Sequence, residues 1–556
     1  MNLISELKAI QDRHGYLPEQ ELRTFSQRVT IPLYQIQAVA SFYPHFRLQP
    51  APRIDVKVCR DLSCHIAGAQ RLFKSARDTA ASLPSCAVNG VSCLGRCDQA
   101  PAIAVNDTIY AGIGDSRLRE VMQAFQQGTP PSHSFVQQGS TTFVIDPYPQ
   151  GADHFGALRT LLEGRNSEAV IQTLKDSGLR GMGGAGFPTG LKWEIVRNAT
   201  GAEKYVVVNA DESEPGTFKD RFLMEKVPHL LLEGVLLGAY IVGAQKAYIF
   251  IRHEYPDQEH VLEKALADAR ARGFVGSRVL GSDFSCDIEL FVSAGGYICG
   301  EETALLEALE GKRAEPRNKP PFPGTHGLWG KPTLINNVET LCMIPGILQR
   351  GAAWFKNQGR NNNGLKYLGL SGHVQRPGVY EVPLGLPVGE FIHDYGGGLA
   401  TGKPLKAFSP GGASSGFLPG SMSDIALDFQ ALTQVGSMLG SGAVVALAEG
   451  TCMLDVALNV VTFFRNESCG KCVPCRVGSD KIVEILQRST RGQADTKEVD
   501  LIGELAETMQ LTSICGLGQA APLPITSALK YFGDEIMLHL TEKRCPEGVC
   551  FREAEG

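Results

Sequence analysis

Apolar residues recur at three- and four-residue steps near the start of the chain: Leu22, Phe25 and Val29, then Ile36, Val39 and Phe42. That spacing lines one face of a helix, so residues 3–47 read as short helices and 1–50 as a helical segment. The period then changes. Ile54, Val56 and Val58 alternate like a strand, a helix is expected from His65 to Asp78, and residues 87–91 read as a second strand. Residues 103–105 run into Asn106-Asp107, a hairpin signal. Residues 53–125 are thus expected to form a small α/β domain, followed at 126–150 by a linker rich in Ser, Gln, Thr and Pro.

A larger domain is expected over 151–355, with strands at 205–209 and 246–251 and helices at 225–241 and 260–270. Short β-like pieces at 367–370, 378–382 and 405–408 predict a compact β-containing domain over 365–440. The text from 447 to 540 reads as helical and 541–556 as a tail. The most apolar stretch, from His229 to Phe250, is interrupted by Glu233, Gln245 and Lys246, which argues against a membrane span.

Composition narrows the classes. Lys and Arg total 53 against 59 Asp and Glu, a net charge of −6, which excludes a broad basic surface and makes nucleic acid a poor primary partner. Glycine, at 62 residues, is concentrated in short clusters without a three-residue period, as in ligand loops built from backbone. Fifteen cysteines in 556 residues are too dilute for a disulfide scaffold. The N-terminus carries no secretory pattern, so a cytoplasmic location is expected.

Eight cysteines form two groups. Cys59-x4-Cys64 with Cys93-x3-Cys97 can hold a [2Fe–2S] cluster or a zinc ion, and the x4 gap suits the cluster better. Cys469-x2-Cys472-x2-Cys475 with a distant Cys515 is the pattern of a [4Fe–4S] cluster, a structural zinc being the alternative. Lys471 and Arg476 are placed to offset its negative charge. Cys286, Cys299, Cys342 and Cys452 sit singly in apolar sequence and read as core. Cys545 and Cys550 near the C-terminus number two, and two ligands do not make a site.

Between these groups lies a different chemistry. Residues 178–190 hold Gly181, Gly183, Gly184 and Gly186, a loop whose amides can approach a phosphate, with a structural glycine turn as the other reading. The residues before it look helical, so the strand–turn–helix context of a dinucleotide fingerprint is missing. Lys192 follows. Asn209-Ala-Asp211-Glu212-Ser-Glu214 ends a strand in three acids, either a solvated turn or carboxylates that receive ribose hydroxyls. Tyr297 to Glu302 opens a helix on two acids, and Asn336-Asn337 offers donors and acceptors suited to a flavin edge.

Residues 178–190, 209–216, 297–302 and 467–476 resemble the FMN- and NADH-binding subunit of respiratory complex I and its soluble relatives. Residues 1–125 are similar to the small thioredoxin-fold [2Fe–2S] subunit of the same enzymes, fused in front. The resemblance implies a multidomain α/β chain: a thioredoxin-like ferredoxin domain, a Rossmann-like FMN/NADH domain, a ubiquitin-like β-grasp domain and a C-terminal helical bundle with an iron–sulfur cluster. It implies that Gly181, Gly183, Gly184, Lys192, Asn209, Asp211, Tyr297, Gly300, Asn336 and Asn337 line FMN. Phe187 and Phe322 would stack with NAD(H), and Glu212, Glu214, Glu301 and Glu302 would shape its site. Position 195 is Ile where several relatives carry an aromatic residue.

The implied activity is hydride exchange between NAD(H) and FMN, with single electrons passing to iron–sulfur clusters. No acid–base catalytic residue is expected. The fusion, and residues 248–256, resemble the NAD-linked subunit of a molybdenum or tungsten formate dehydrogenase, whose partner is a large molybdopterin subunit in a hetero-oligomer. The diaphorase of a nickel–iron hydrogenase and a fused complex I input subunit are the alternatives. A metal-stabilised scaffold without redox turnover is the alternative from another class.

Overall fold

A computed structural model describes residues 2–132, 135, 138–148 and 154–551. The expected linker therefore falls partly outside the described residues, as do residues 552–556 of the tail.

The first sheet contains β1 (Ile54–Cys59), β2 (Cys86–Val91), β3 (Ala102–Val105) and β4 (Thr108–Ala111). Its order is β2-β1-β3-β4, with β1 and β2 parallel and the other pairs antiparallel. Asn106 and Asp107 both take positive φ, 48° and 66°, which is the backbone a two-residue hairpin requires. The helix expected from His65 is two, Leu62–Ile66 and Ala69–Ala80, separated at Gly68 in the left-handed region.

The second sheet is wholly parallel: β5 (Tyr205–Ala210), β6 (Lys246–Ile251), β7 (Asp287–Val292) and β8 (Thr333–Asn337), in the order β7-β6-β5-β8. Val206, Val207 and Val208 of β5 are fully buried, as expected of a strand covered on both faces. Pro228 divides the helix predicted for 225–241. Lys219–Lys226 ends at Val227 and Pro228–Val242 starts afresh, because proline suits a first helical turn and lacks the amide an interior turn needs.

The third sheet has β9 (Leu365–Gly372), β10 (Gly378–Pro383), β11 (Leu405–Ser409), β12 (Leu418–Pro419) and β13 (Ala443–Ala448). Its order is β10-β9-β13-β11-β12, with a parallel central pair β9–β13 between antiparallel neighbours. β13 lies beyond residue 440, where the sequence reading ended this unit. Its six residues are all buried, and an unbroken apolar run does not separate a central strand from a buried helix. Helices Met453–Asn466, Val473–Thr490, Lys497–Thr512 and Leu523–Thr541 complete the C-terminal part.

The N-terminal helices do not pack on the first sheet. Leu3, Leu7, Phe25 and Ile36 share a core with Phe250, Leu305 and Leu309 of the middle region, and Asn2 Nδ2 donates to Leu309 O at 2.7 Å. Each such fully buried large aliphatic side chain contributes about 1.5–3 kcal/mol. The segment braces the middle sheet.

Candidate functional site

In the parallel sheet, β6 and β7 lie on one side of β5 and β8 on the other. The chain direction across the sheet therefore reverses at β5–β8, and the crevice at the carboxyl ends of such strands is where this class of sheet binds ligands. Asn209 pairs in register with Asn337, and Val208 with Asn336, so both asparagine motifs reach that crevice. The glycine loop enters it from a helix, Ser167–Ser177, as the sequence indicated.

The loop is closed on itself: the Gly181 amide donates to Phe187 O at 2.8 Å, and the Thr189 amide to Leu179 O at 2.9 Å. At Gly183 a side chain would put Cβ 2.9 Å from Cβ of Asn337. At Gly184, φ is 137° and a Cβ would project into open space. One glycine permits close packing on β8 and the next leaves a cradle beside the loop.

Asn209 Nδ2 donates to Gly300 O at 2.7 Å, joining the acidic loop to the segment 297–302. Asp211 accepts from Ser213 Oγ at 3.0 Å, while its buried Oδ2 has no partner among the described residues. Burial pushes this carboxyl up to about 8. Lys192 Nζ donates to Ile335 O at 3.2 Å and lies 3.9 Å from Glu302; burial lowers its pKa.

Glu212 is buried and bonded on both oxygens. Its oxygens accept from the amides of Asp220 and Arg221, at 2.7 and 2.9 Å, and from the Tyr255 hydroxyl at 3.0 Å. Both oxygens are thereby engaged at the first turn of the helix Lys219–Lys226. Glu214 accepts from the Ser414 amide at 2.7 Å, and burial raises its pKa. Glu301 caps the helix Glu302–Leu309, accepting from the Thr303 and Ala304 amides, and pairs with Lys319 at 2.9 Å. Glu302 lies 3.3 Å from the same lysine.

The asparagine pair is likewise occupied. Asn336 Oδ1 accepts from Trp193 Nε1 at 2.9 Å. Asn337 caps the helix Val338–Arg350, donates to Asp220 Oδ2 at 2.6 Å and accepts from Lys219 Nζ at 3.3 Å. Both line the crevice wall, with the Asn336 oxygen and both ends of the Asn337 amide bonded within the chain. Tyr297 is half-buried against Phe463 and Phe464, with ring centroids 5.1 and 6.1 Å away.

The sequence reading missed the charges beneath this wall. Lys219 pairs with Asp220 at 2.7 Å and Glu339 at 2.9 Å, and Lys366 pairs with Glu339 at 3.0 Å. Two cations and two anions cancel, which is how such a group tolerates complete burial. Lys366 Nζ also donates to Met182 O at 3.2 Å, supporting the glycine loop from below. Burial brings Lys366 down to about 8, whereas Lys219 is held above its ordinary range by its two anions despite burial. Lys366 sits inside a β-like run, and nothing in its immediate sequence signals a buried charge.

Large apolar side chains lie exposed at the crevice mouth. Phe187, Leu191 and Ile195 follow one another at four-residue steps into the helix Thr189–Asn198, each about two-fifths exposed, and Phe322 is 58% exposed. A Cβ on Gly324 would lie 3.2 Å from Ile195, so the Phe322 loop is adjacent to this stripe. Flat exposed aromatics beside acidic groups fit a dinucleotide.

Cys59, Cys64, Cys93 and Cys97 are all buried. Cys93 and Cys97 Sγ stand 3.4 Å apart; the Gly95 amide donates to Cys93 and the Gly216 amide, at 3.3 Å, to Cys97. The acidic loop thus contacts the cysteine loop directly. Arg252 clamps the junction, donating to Cys93 O and Glu212 O at 2.6 Å each, while Arg221 donates to Gly95 O at 2.6 Å. Gly95 has φ 69°, and any side chain there would meet the Tyr255 ring at 2.5 Å.

Cys469, Cys472, Cys475 and Cys515 line one small cavity with Ile298, Pro316, Ser468 and Leu517. The Leu517 and Gly518 amides donate to the Cys515 sulfur. Lys471 and Arg476, expected to offset cluster charge, donate to the carbonyls of Pro316 and Gly470. Glu467, the first residue of the motif 467–476 and one given no role from sequence, accepts from Ser92 Oγ and from the Tyr297 amide at 2.7 Å. It bridges both cysteine groups and the crevice.

These residues fit the implied groups. Four thiols in each set with amides turned toward sulfur suit iron–sulfur clusters. The open cradle at Gly184 and the unpartnered Asp211 oxygen suit a phosphorylated, hydroxyl-bearing cofactor.

Family models match the chain in four places. They are the Nuo51 FMN-binding domain at 174–346, the NADH-ubiquinone oxidoreductase-F iron-sulfur binding region at 455–539, the thioredoxin-like [2Fe-2S] ferredoxin at 1–126 and the SLBB domain at 367–418. The F 2 subunit of NADH-quinone oxidoreductase from Rhizobium meliloti (strain 1021) is 46% identical over 404 residues, 72% of this chain and 96% of that protein. The HndC subunit of the NADP-reducing hydrogenase from Solidesulfovibrio fructosivorans is 45% identical over 382 residues, 68% of this chain and 78% of its own. A crystal structure of NAD+-reducing [NiFe]-hydrogenase in the H2-reduced state superposes with a TM-score of 0.87 at 30% identity, covering 96% of this chain and 92% of that one.

Proposed function

This chain belongs to the NADH-quinone oxidoreductase-F family, and we propose that it is the NAD(H)-linked subunit of a formate-oxidising enzyme whose large partner carries molybdopterin. It is an NADH- and FMN-dependent electron-input subunit with a [2Fe–2S] and a [4Fe–4S] cluster. The observation that carries the reading is the convergence of the glycine loop, the acidic loop and both cysteine groups around the β5–β8 crevice.

FMN, when bound, converts between the two electrons of a nicotinamide and the single electrons of iron–sulfur. The chain positions the participants. The Gly181–Gly184 loop receives the flavin phosphate, Asp211 a hydroxyl of its side chain, and Lys192 the edge of the crevice. Phe187 and Phe322 hold the dinucleotide rings, with Glu214 and Glu302 beside its sugars. Glu212 and Glu301 act one step back, fixing helix starts. Cys59, Cys64, Cys93 and Cys97 hold one cluster and Cys469, Cys472, Cys475 and Cys515 the other. No side chain needs to move a proton in the hydride step.

The formate reading rests on the fusion and on the resemblance of residues 248–256, a segment that also supplies Arg252, Glu254 and Tyr255 to the junction with the first cysteine group. A second reading, a hydrogenase diaphorase, is favoured by the likeness to the NAD+-reducing [NiFe]-hydrogenase over 96% of the chain. Native purification followed by metal analysis of the co-purifying chain separates them. Molybdenum or tungsten is expected; nickel in the partner would overturn the formate reading and leave the NADH–FMN assignment standing.

A further inference from the structure

Cys452, which reads as an isolated core cysteine, and the pair Cys545 and Cys550 are brought together by the fold around His539. The sulfur atoms of the three cysteines and a ring nitrogen of His539 all lie within 4.8 Å of one another. Cys452 and His539 are buried, the other two half-buried, and none belongs to either cysteine group described above. We propose that these four residues bind one zinc ion, a structural site that fastens the C-terminal tail to the helical iron–sulfur region.

The geometry is that of a single ion. A tetrahedral zinc with Zn–S of about 2.3 Å and Zn–N of about 2.0–2.1 Å sets S···S at about 3.8 Å and S···N at about 3.5 Å. Cys452 Sγ stands 3.7 Å from Cys550 Sγ and 3.5 Å from His539 Nε2. His539 Nδ1 lies 2.8 Å from Glu535 O, an acceptor only, so Nδ1 carries the proton and Nε2 presents its lone pair to the sulfurs. Orientation of a ligand imidazole by a backbone carbonyl is the usual support of a zinc histidine. At Cys545-Pro-Glu-Gly-Val-Cys550 the chain turns back through Gly548, at φ 65°, and the Val549 amide donates to Cys545 Sγ at 3.4 Å. Amides turned toward sulfur favour the thiolate a metal requires.

The ligands come from three separate places. Cys452 precedes the helix Met453–Asn466, which leads directly to Cys469. His539 lies in the last turn of the helix Leu523–Thr541. The other two belong to the tail, and Lys406 of β11 reinforces the arrangement by reaching Glu547 at 2.6 Å, Glu535 at 2.8 Å and Thr451 O at 2.7 Å. A three-cysteine, one-histidine set around a closed-shell ion has no redox role and leaves no open coordination position. Its contribution is to tie these segments together.

Elemental analysis and zinc-edge X-ray absorption of the intact holoprotein test this directly. The expected result is about one zinc per chain, with a shell of three sulfurs and one nitrogen. Cys550→Ser should lose that zinc and melt at lower temperature while keeping iron and flavin. Absence of zinc with a Cys545–Cys550 disulfide by mass spectrometry would overturn the proposal. So would a four-sulfur shell, which marks zinc lodged in an iron-depleted cluster pocket, or zinc retained unchanged in Cys550→Ser. If that variant lost iron and flavin as well, the absorption spectrum of the unaltered protein would decide.

Discussion

Asp211 and Glu212 are neighbours in sequence with opposite tasks, and they separate under mutation and pH. Asp211, held up at about 8 by burial, binds a proton in the folded apoprotein that it releases near 4 when unfolded. The native state therefore holds more protons between those values, and this residue makes stability fall as pH rises from 4 to 8. Asp211→Asn should remove its share of that slope in apoprotein melts. Burial raises the Glu212 carboxyl as well, to about 7, so Glu212→Gln should destabilise mainly above that pH, by about 1–3 kcal/mol, where the Asp220 and Arg221 amides lose a charged acceptor. Glu214→Gln should alter NADH kinetics in stopped flow and leave FMN content unchanged; unaltered hydride transfer and nucleotide affinity would exclude Glu214 from the dinucleotide site.

At the scale of elements, the glycine loop depends on what lies under it. Gly183→Ala would drive Cβ against Asn337, which cannot retreat because it caps a helix and bonds Asp220. Flavin should be lost on purification, with the [2Fe–2S] spectrum intact. Cys475→Ala should abolish the cubane EPR signal; a normal signal would contradict its place in the cluster.

Much of this was legible in the sequence. Metal spacing identifies both cysteine groups without any fold; alternation locates β1, and apolar runs locate β5 and β6, to within a residue or so. The partners of Glu212, Asn336 and Asn337 were not legible, because their residue types suit a ligand, a helix start or a buried indole equally. Lys219, Glu339 and Lys366 gave no signal, and Glu467 stood in a motif without a role, since a buried charge is distinguished only by partners far away in sequence. His539, Cys452 and the tail cysteines are separated by up to 98 residues, beyond the reach of any spacing rule.

For the whole molecule, the contacts around Arg252, Arg221, Ser92 and Glu467 place the first cysteine group against the crevice, not on a free arm. Further contacts run from the Leu62–Ile66 helix to the helix Met453–Asn466: the Leu62 amide donates to Asn459, and His65 Nε2 lies 2.7 Å from Asp455. Arg252→Ala removes three charged hydrogen bonds, to Cys93 O, Glu212 O and Glu254, worth about 1.5–3 kcal/mol each. It should lower the melting temperature and slow reduction of the [2Fe–2S] cluster, with little change in flavin reduction by NADH. No helix among the described residues is long and apolar enough to cross a membrane.

The most direct measurement is anaerobic mixing of the reconstituted protein with NADH, followed by absorbance and freeze-quench EPR. The flavin band should bleach first and reduced iron–sulfur signals should follow within the same turnover. A protein that takes up flavin and iron, yet shows neither bleaching nor cluster reduction under excess NADH, would contradict the account.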